Sequence, residues 1–100
     1  MLTSLLCITT ANEKNTVVEG SILVYECGAN CYLTVVSKDS RYHSGLCAAP
    51  ICQAWNEKTE MPIKFKGRKV RITLGKGLQY DSTGNVMCKM GAFNKIEFLK

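Results

Sequence analysis

Four of the six cysteines lie between Cys27 and Cys52, and this spacing constrains the chain more than any other feature. A chain of 100 residues buries only about two-thirds of its unfolded surface, so a domain of this size often needs cross-links or a metal. Disulfides stabilise such a domain by restricting the unfolded chain. The pattern therefore indicates a small domain held together through sulfur.

Three roles for these cysteines stay open from the residues alone. A three-residue hairpin loop centred on Asp39 would put Cys31 opposite Cys47, at a distance that suits a disulfide, and leave Cys27 for Cys52. The pairs Cys27-x3-Cys31 and Cys47-x4-Cys52 also have the loose spacing of a structural zinc site. Four reduced, buried thiols are the third role. We expect the disulfides Cys31–Cys47 and Cys27–Cys52, with no metal and no cofactor.

Residues 1–15 look like a leader and not like part of the fold. The segment MLTSLLCITTA is apolar and ends in small residues, as the core and cleavage region of a secretory signal do. It lacks the basic start of such a signal and is short, which a start codon placed too far downstream would explain. We expect 1–15 to be a truncated signal or a disordered tail and 16–100 to be one domain. Loss of the leader would leave Cys88 unpaired, as a free thiol in a monomer or a bridge in a dimer.

The periodicity of apolar residues after position 15 predicts five strands and one short helix. The helix begins near Pro50 and turns Trp55 toward the core as a plug. The Gly-rich stretch 75–91 is expected to be a long loop with a small hairpin around 82–85. The predicted strands are Thr16–Glu26, Tyr32–Ser37, Arg41–Cys47, Arg68–Leu74 and Phe93–Leu99.

This element order resembles an OB-fold, which is a mainly β, five-stranded Greek-key barrel with a helix between strands 3 and 4. The long first strand, with a bulge or bend at Gly20, and the ending GRKVRIT…KIEFL resemble small exported, periplasmic bacterial OB-fold proteins. The resemblance implies ligand binding on the outer face of strands 2 and 3, beside the loop that follows strand 4. The residues at those positions are Tyr32, Thr34, Val36, Tyr42, Ser44, Gln79, Tyr80 and Lys89.

Residue types that carry catalysis are sparse. The chain has no nucleophile elbow, phosphate-binding loop, zinc-protease helix or Cys-x-x-Cys motif. The single histidine, His43, falls on a predicted strand and is expected to be structural or on the surface. The carboxylates Glu57, Glu60 and Asp81 are too scattered to form an acid and base pair. We expect a protein that is not an enzyme.

The formal charge of +5 allows an anionic partner without requiring one. A solvated basic face is the plainer interpretation of the cations, and no apolar run reaches the roughly 18 residues of a membrane-spanning helix. We therefore expect a small exported, disulfide-stabilised binding module, periplasmic or secreted, that contacts a protein or a small ligand. The alternative is a cytoplasmic nucleic-acid-binding OB domain, with or without a structural four-cysteine zinc site, that uses the basic segment from Lys64 to Lys76. The basic residues are Lys58, Lys64, Lys66, Arg68, Lys69, Arg71 and Lys76.

Overall fold

Five strands close into a barrel in the order β1-β2-β3-β5-β4, with one short helix between β3 and β4. The computed structural model describes residues 16–99; the predicted leader at 1–15 lies outside the described residues. The strands β3 and β5 pair in parallel and the other neighbours are antiparallel. The predicted fold class is confirmed, and the barrel is compatible with an OB-like fold. The elements are β1 Thr16–Cys27, β2 Cys31–Ser37, β3 Tyr42–Cys47, α1 Pro50–Lys58, a 3₁₀ turn Ile63–Phe65, β4 Lys69–Tyr80 and β5 Val86–Phe98.

The hairpin of β2 and β3 has the register that its turn predicts. Ser37 donates its backbone N–H to the carbonyl of Arg41 at 2.9 Å, which closes the loop around Asp39. Val36 consequently lies opposite Tyr42. The next pairs along the hairpin are Val35 with His43, Thr34 with Ser44, Leu33 with Gly45, and Tyr32 with Leu46.

The first strand pairs with both of its neighbours and so closes the barrel. Its first half pairs with β4 and its second half with β2, and Gly20 belongs to both pairings. A Cβ at Gly20 would lie 2.4 Å from the carbonyl oxygen of Val36, so only glycine fits this approach. The irregularity in register falls between Ile22 and Val24, not at Gly20. Gly20 is therefore a point of close backbone contact, and the bulge predicted there lies further along the strand.

The stretch 75–91 is a long hairpin and not a loop, so that prediction is wrong. The strands β4 and β5 stay paired from Val70 opposite Phe98 to Tyr80 opposite Val86. Glycine here serves packing: a Cβ at Gly77 would lie about 3 Å from the side chains of its neighbours. The two neighbours are Ala92, at 3.0 Å, and Leu46, at 3.1 Å.

The turn of this hairpin, at residues 81–85, lies where the sequence predicted a small one. The Asp81 carboxylate accepts hydrogen bonds from the hydroxyl of Thr83 at 2.6 Å and from the backbone N–H groups of Thr83 and Asn85 at 2.9 Å. The Thr83 hydroxyl bond, followed by the Asn85 backbone bond, lowers the pKa of Asp81. Gly84 has a φ of 91°, which a residue with a side chain rarely adopts.

The core fills the barrel, and α1 closes one end of it. Trp55 is 4% exposed, which confirms its predicted role as a plug. The ring of Tyr25 packs edge-on against Trp55 at 5.8 Å, and that of Phe65 lies 5.1 Å from it and 5.2 Å from Phe98. Tyr25 also donates its hydroxyl to the Oδ1 of Asn56, and burial raises the pKa of Tyr25. The fully buried side chains are Ile22, Leu33, Val35, Cys52, Val70, Ile72 and Phe93.

The disulfides join Cys27 to Cys31 and Cys47 to Cys52, with Cα atoms 4.0 and 5.5 Å apart. The predicted pairs Cys31–Cys47 and Cys27–Cys52 are therefore wrong. A residue of β2 has a neighbour on each side, and Cys31 lies directly opposite Cys27 in the register with β1. The register of the hairpin around Asp39 was predicted correctly. That register does not show whether Cys31 forms its disulfide with a cysteine of β1 or of β3.

These bridges also exclude the alternative zinc site. The sulfur atoms of Cys27, Cys31, Cys47 and Cys52 are all oxidised, so they cannot bind zinc as thiolates. Cys88 lies on β5 and is disulfide-bonded in the full chain, so an unpaired thiol there after loss of the leader stays a prediction. Cysteine in this domain cross-links the chain.

We predict that Gly20→Ala destabilises the domain strongly. The added Cβ would overlap the carbonyl of Val36, and strand separation of this kind should lower the free energy of unfolding by about 3 kcal/mol. Gly28→Ala is the matched control, because a Cβ there meets no atom within 4 Å. Urea unfolding of both variants checks the expectation, and equal midpoints would contradict it.

We predict unequal effects from removing the two disulfides. Each closes a loop of only a few residues, so the double variant Cys27→Ala/Cys31→Ala should lose about 2 kcal/mol of unfolding free energy. Cys47→Ala/Cys52→Ala should lose more, because those two residues are 4% and 0% exposed and belong to the core. Urea unfolding without reductant measures both losses. A smaller loss for the buried pair would refute this ranking.

Candidate functional site

The outer face of β2 and β3 brings together five of the predicted site residues. Strand alternation turns Leu33 and Val35 into the core, and it turns the residues between them outward. Across the two strands, Thr34 and Ser44 are joined by a hydrogen bond of 2.7 Å between their hydroxyls. Tyr42 is 68% exposed. The five residues on this face are Tyr32, Thr34, Val36, Tyr42 and Ser44.

The two tyrosines on this face are not a cross-strand pair, and Tyr42 is exposed whereas Tyr32 is half-buried. Tyr32 lies opposite Leu46, and Tyr42 lies opposite Val36. On the other side of β2, Glu26 of β1 lies opposite Tyr32. Among the described residues, the outer face of β1, β2 and β3 also carries Glu19, which lies further along β1 and pairs with Arg71 of β4. The face is therefore rich in rings and hydroxyls and poor in charge.

The three predicted site residues from the β4–β5 hairpin do not share one face. Gln79 is buried and donates its amide N–H to the sulfur of Met87 at 3.8 Å. Tyr80 is the next residue and projects to the opposite side, where it is 39% exposed. Lys89 lies opposite Leu78, which also projects away from the face of Gln79. Gln79 is therefore excluded from the outer surface, whereas Tyr80 and Lys89 both project away from the interior, and their contribution to a ligand site stays a prediction.

A polar clamp between the β1–β2 turn and the β4–β5 hairpin holds the end of the site. The side-chain amide of Asn30 donates to the carbonyl of Tyr80 at 2.6 Å and accepts from the backbone N–H of Tyr80 at 2.9 Å. The disulfide Cys27–Cys31 brackets the same turn. The β1–β2 turn and the β4–β5 hairpin are thus fixed to each other.

Sequence reasoning missed Asn30, Glu26 and Leu46 as parts of this region. Alternation along β1 would have placed Glu26 outward, since Ile22 marks a core position before the bulge and Tyr25 one after it. The role of Asn30 has no local signal, because its partner lies 50 residues away in the chain. Such contacts become visible only when the barrel is closed.

Two depressions lie near the outer face, and the one that borders it is smaller than the roughly 300–1,000 Å³ of a usual ligand pocket. One of about 200 Å³ shares Val36 with the outer face and has Lys38 and Lys69 on its rim. His43 lines another, of about 400 Å³, together with residues of the β2–β3 turn. Flat contact on the outer face is therefore more consistent with the geometry than enclosure of a small molecule.

Two further features concern metal binding and membrane-spanning helices in residues 16–99. Residues 16–99 contain no group of three or more histidine, cysteine, aspartate or glutamate side chains arranged to hold a metal ion. No helix in that range is both long and apolar enough to cross a membrane.

Comparison with protein-family models, with curated proteins and with solved structures finds no match. The barrel topology and the geometry of the outer face are consequently the basis for inferring what this chain does.

We predict that Asn30→Ala loosens the hairpin without unfolding the barrel. Loss of two hydrogen bonds to the Tyr80 backbone should speed exchange of the Tyr80 amide hydrogen by about fivefold or more. Asn94→Ala, at an exposed position on β5, is the control. Hydrogen exchange followed by NMR measures the effect, and unchanged protection of the Tyr80 amide would show that the clamp is absent in solution.

Proposed function

We propose that this protein is a non-catalytic binding module of an oxidising compartment, either the bacterial periplasm or the cell exterior. Disulfides form and persist in such compartments and are rare in the cytosol. The chain has a bridge in the core and a second one at the β1–β2 turn. Both support export, and the closed barrel provides a rigid scaffold for a binding face.

The ligand that the outer face fits best is uncharged. The observation that carries this proposal is the combination of the exposed ring of Tyr42 and the half-buried ring of Tyr32 with the hydrogen-bonded hydroxyls of Thr34 and Ser44. Tyrosine supplies rigid, amphipathic contact area at a low cost in conformational entropy. Hydroxyls can donate to or accept from the polar groups of a neutral saccharide or peptide. The module would then bind by stacking and hydrogen bonding.

The arrangement of charge argues against single-stranded nucleic acid on this face. Proteins that bind single strands combine stacking rings with a positively charged groove along the backbone. Here Glu26 is the charge next to Tyr32, and the cations Lys69 and Arg71 lie on β4, beyond β1. A phosphate chain lying across the tyrosines would meet a carboxylate.

We predict that Tyr42→Ala weakens binding of a neutral probe about tenfold or more, because a truncated contact tyrosine typically dominates a small interface. Suitable probes are chitohexaose, maltohexaose and an uncharged Ser/Gly/Tyr peptide, each titrated by NMR. Tyr42→Phe keeps the ring and should lose less affinity. Val86→Ala, at an exposed position on the hairpin, is the control for nonspecific effects.

The same titration with oligo-thymidine tests the nucleic-acid alternative. Salt-sensitive binding of oligo-thymidine, combined with no shift by any neutral probe, would overturn the proposal. Shifts by a neutral probe that map to Tyr32, Thr34, Tyr42 and Ser44 would support it.

A further inference from the structure

A second surface is formed by residues 62–69, which we name the basic turn, and it meets the outer face only at the depression that Lys69 shares with Val36. Its sequence, PIKFKGRK, contains four cations and no carboxylate. All four cations, Lys64, Lys66, Arg68 and Lys69, are exposed. The basic turn joins α1 to β4 and begins with the 3₁₀ turn Ile63–Phe65.

The basic turn is held in one conformation by its contacts with the barrel. The N–H of Gly67 donates to the carbonyl of Ile22 at 2.8 Å, and the N–H of Ile22 donates to the carbonyl of Arg68 at 2.9 Å. Gly67 has a φ of 85°, so glycine is the residue that suits this bend. The ring of Phe65 packs between Trp55 and Phe98 and anchors the turn from below.

This anchoring turns an apolar side chain outward among the cations. Ile63 is 84% exposed, the highest value among the large exposed apolar residues of the described chain. It is followed directly by Lys64, whose ammonium lies 5.3 Å from the centre of the Phe65 ring. A fully exposed isoleucine beside lysines has no role in the packing of this barrel.

No ion pair among residues 16–99 neutralises the cations of the basic turn. Elsewhere in the described chain, Arg71 pairs with Glu19 and Glu97, Lys95 with Glu97, and Arg41 with Asp39. Within residues 16–99, none of the four cations of the basic turn forms an ion pair. The nearest acidic residues along the chain are Glu57 and Glu60, in α1 and just after it. The turn therefore presents an uncompensated positive surface.

We propose that the basic turn docks this protein onto an anionic lipid bilayer, with Ile63 entering the interface between headgroups and acyl chains. Lysine and arginine near an anionic membrane each contribute about 1 kcal/mol of attraction. An apolar side chain adds the contact with the hydrocarbon boundary that charge alone does not give. The unpaired cations match the anionic headgroups of such a surface, and the exposed isoleucine matches its hydrocarbon boundary.

A bilayer fits this surface better than a nucleic acid does. Binding of a single strand uses exposed aromatic rings as stacking platforms. The rings beside these cations are already packed: Trp55 is 4% exposed, and Phe65 lies between Trp55 and Phe98. The guanidinium of Arg68 lies 5.0 Å from the Phe98 ring. An exposed aliphatic side chain beside the cations, as Ile63 is, has no counterpart in phosphate recognition.

Vesicle cosedimentation tests the proposal. The wild-type protein should bind vesicles of 70% phosphatidylcholine and 30% phosphatidylglycerol at low salt, and it should not bind pure phosphatidylcholine. Lys64→Glu/Lys66→Glu should weaken that binding by about thirtyfold or more, since two attractive charges become repulsive. The matched control is Lys89→Glu/Lys95→Glu, which makes the same change in net charge away from the basic turn and should retain most of the binding.

Ile63→Ser separates insertion from charge attraction, because it leaves every cation in place. It should weaken binding several-fold at the same salt concentration. Equal binding by wild type and Lys64→Glu/Lys66→Glu, or by wild type and Ile63→Ser, would overturn the proposal. Competition of vesicle binding by oligo-thymidine together with direct, salt-sensitive binding of that strand would also overturn it, in favour of a nucleic-acid site. Thermal unfolding followed by circular dichroism verifies that each variant is folded.

Discussion

The structure depends on the contact between Gly20 and the backbone of Val36, where the first strand passes from one neighbour to the other. The first strand pairs with β4 and then with β2. At the crossover it needs a residue without a side chain, because the backbone of β2 approaches it closely there. The 2.4 Å separation calculated for a Cβ at that position shows how little room remains. Closure of the barrel, and with it the outer face on β2 and β3, follows from this contact.

Local patterns predicted the part of the fold that depends on local chemistry. The turn around Asp39 determined the register of β2 and β3, and alternation then identified which of their side chains project outward. Proline at position 50, which suits a first helical turn, and the apolar stripe that contains Trp55 predicted the helix in the same way. Five of the eight site residues could be brought together from such patterns, because they lie on one hairpin whose register its own turn decides.

The rest could not be predicted, because it depends on which strands become neighbours. Cys31 faces a cysteine on either side, and the register of one hairpin carries no information about the other. Glycines at 75, 77 and 91 are typical of loops, yet the close packing of Gly77 against Ala92 and Leu46 makes glycine suitable in a strand. The pairing of Asn30 with Tyr80 joins a three-residue turn to a strand end, and no periodicity predicts it.

The tyrosine face is neutral and the basic turn is positively charged, so this small domain could bind two different partners at the same time. On the side of the barrel that carries the tyrosine face, β1 and β2 lie between the start of β4 and the exposed ring of Tyr42 on β3. A bilayer bound at residues 62–69 would therefore leave the β3 side of the tyrosine face accessible to a soluble ligand. The two surfaces share none of the residues assigned to them. Charge reversal in the basic turn should therefore leave the affinity of the tyrosine face for its ligand unchanged. Coupling between them would require a change in β1, the strand whose fit at Gly20 tolerates it least.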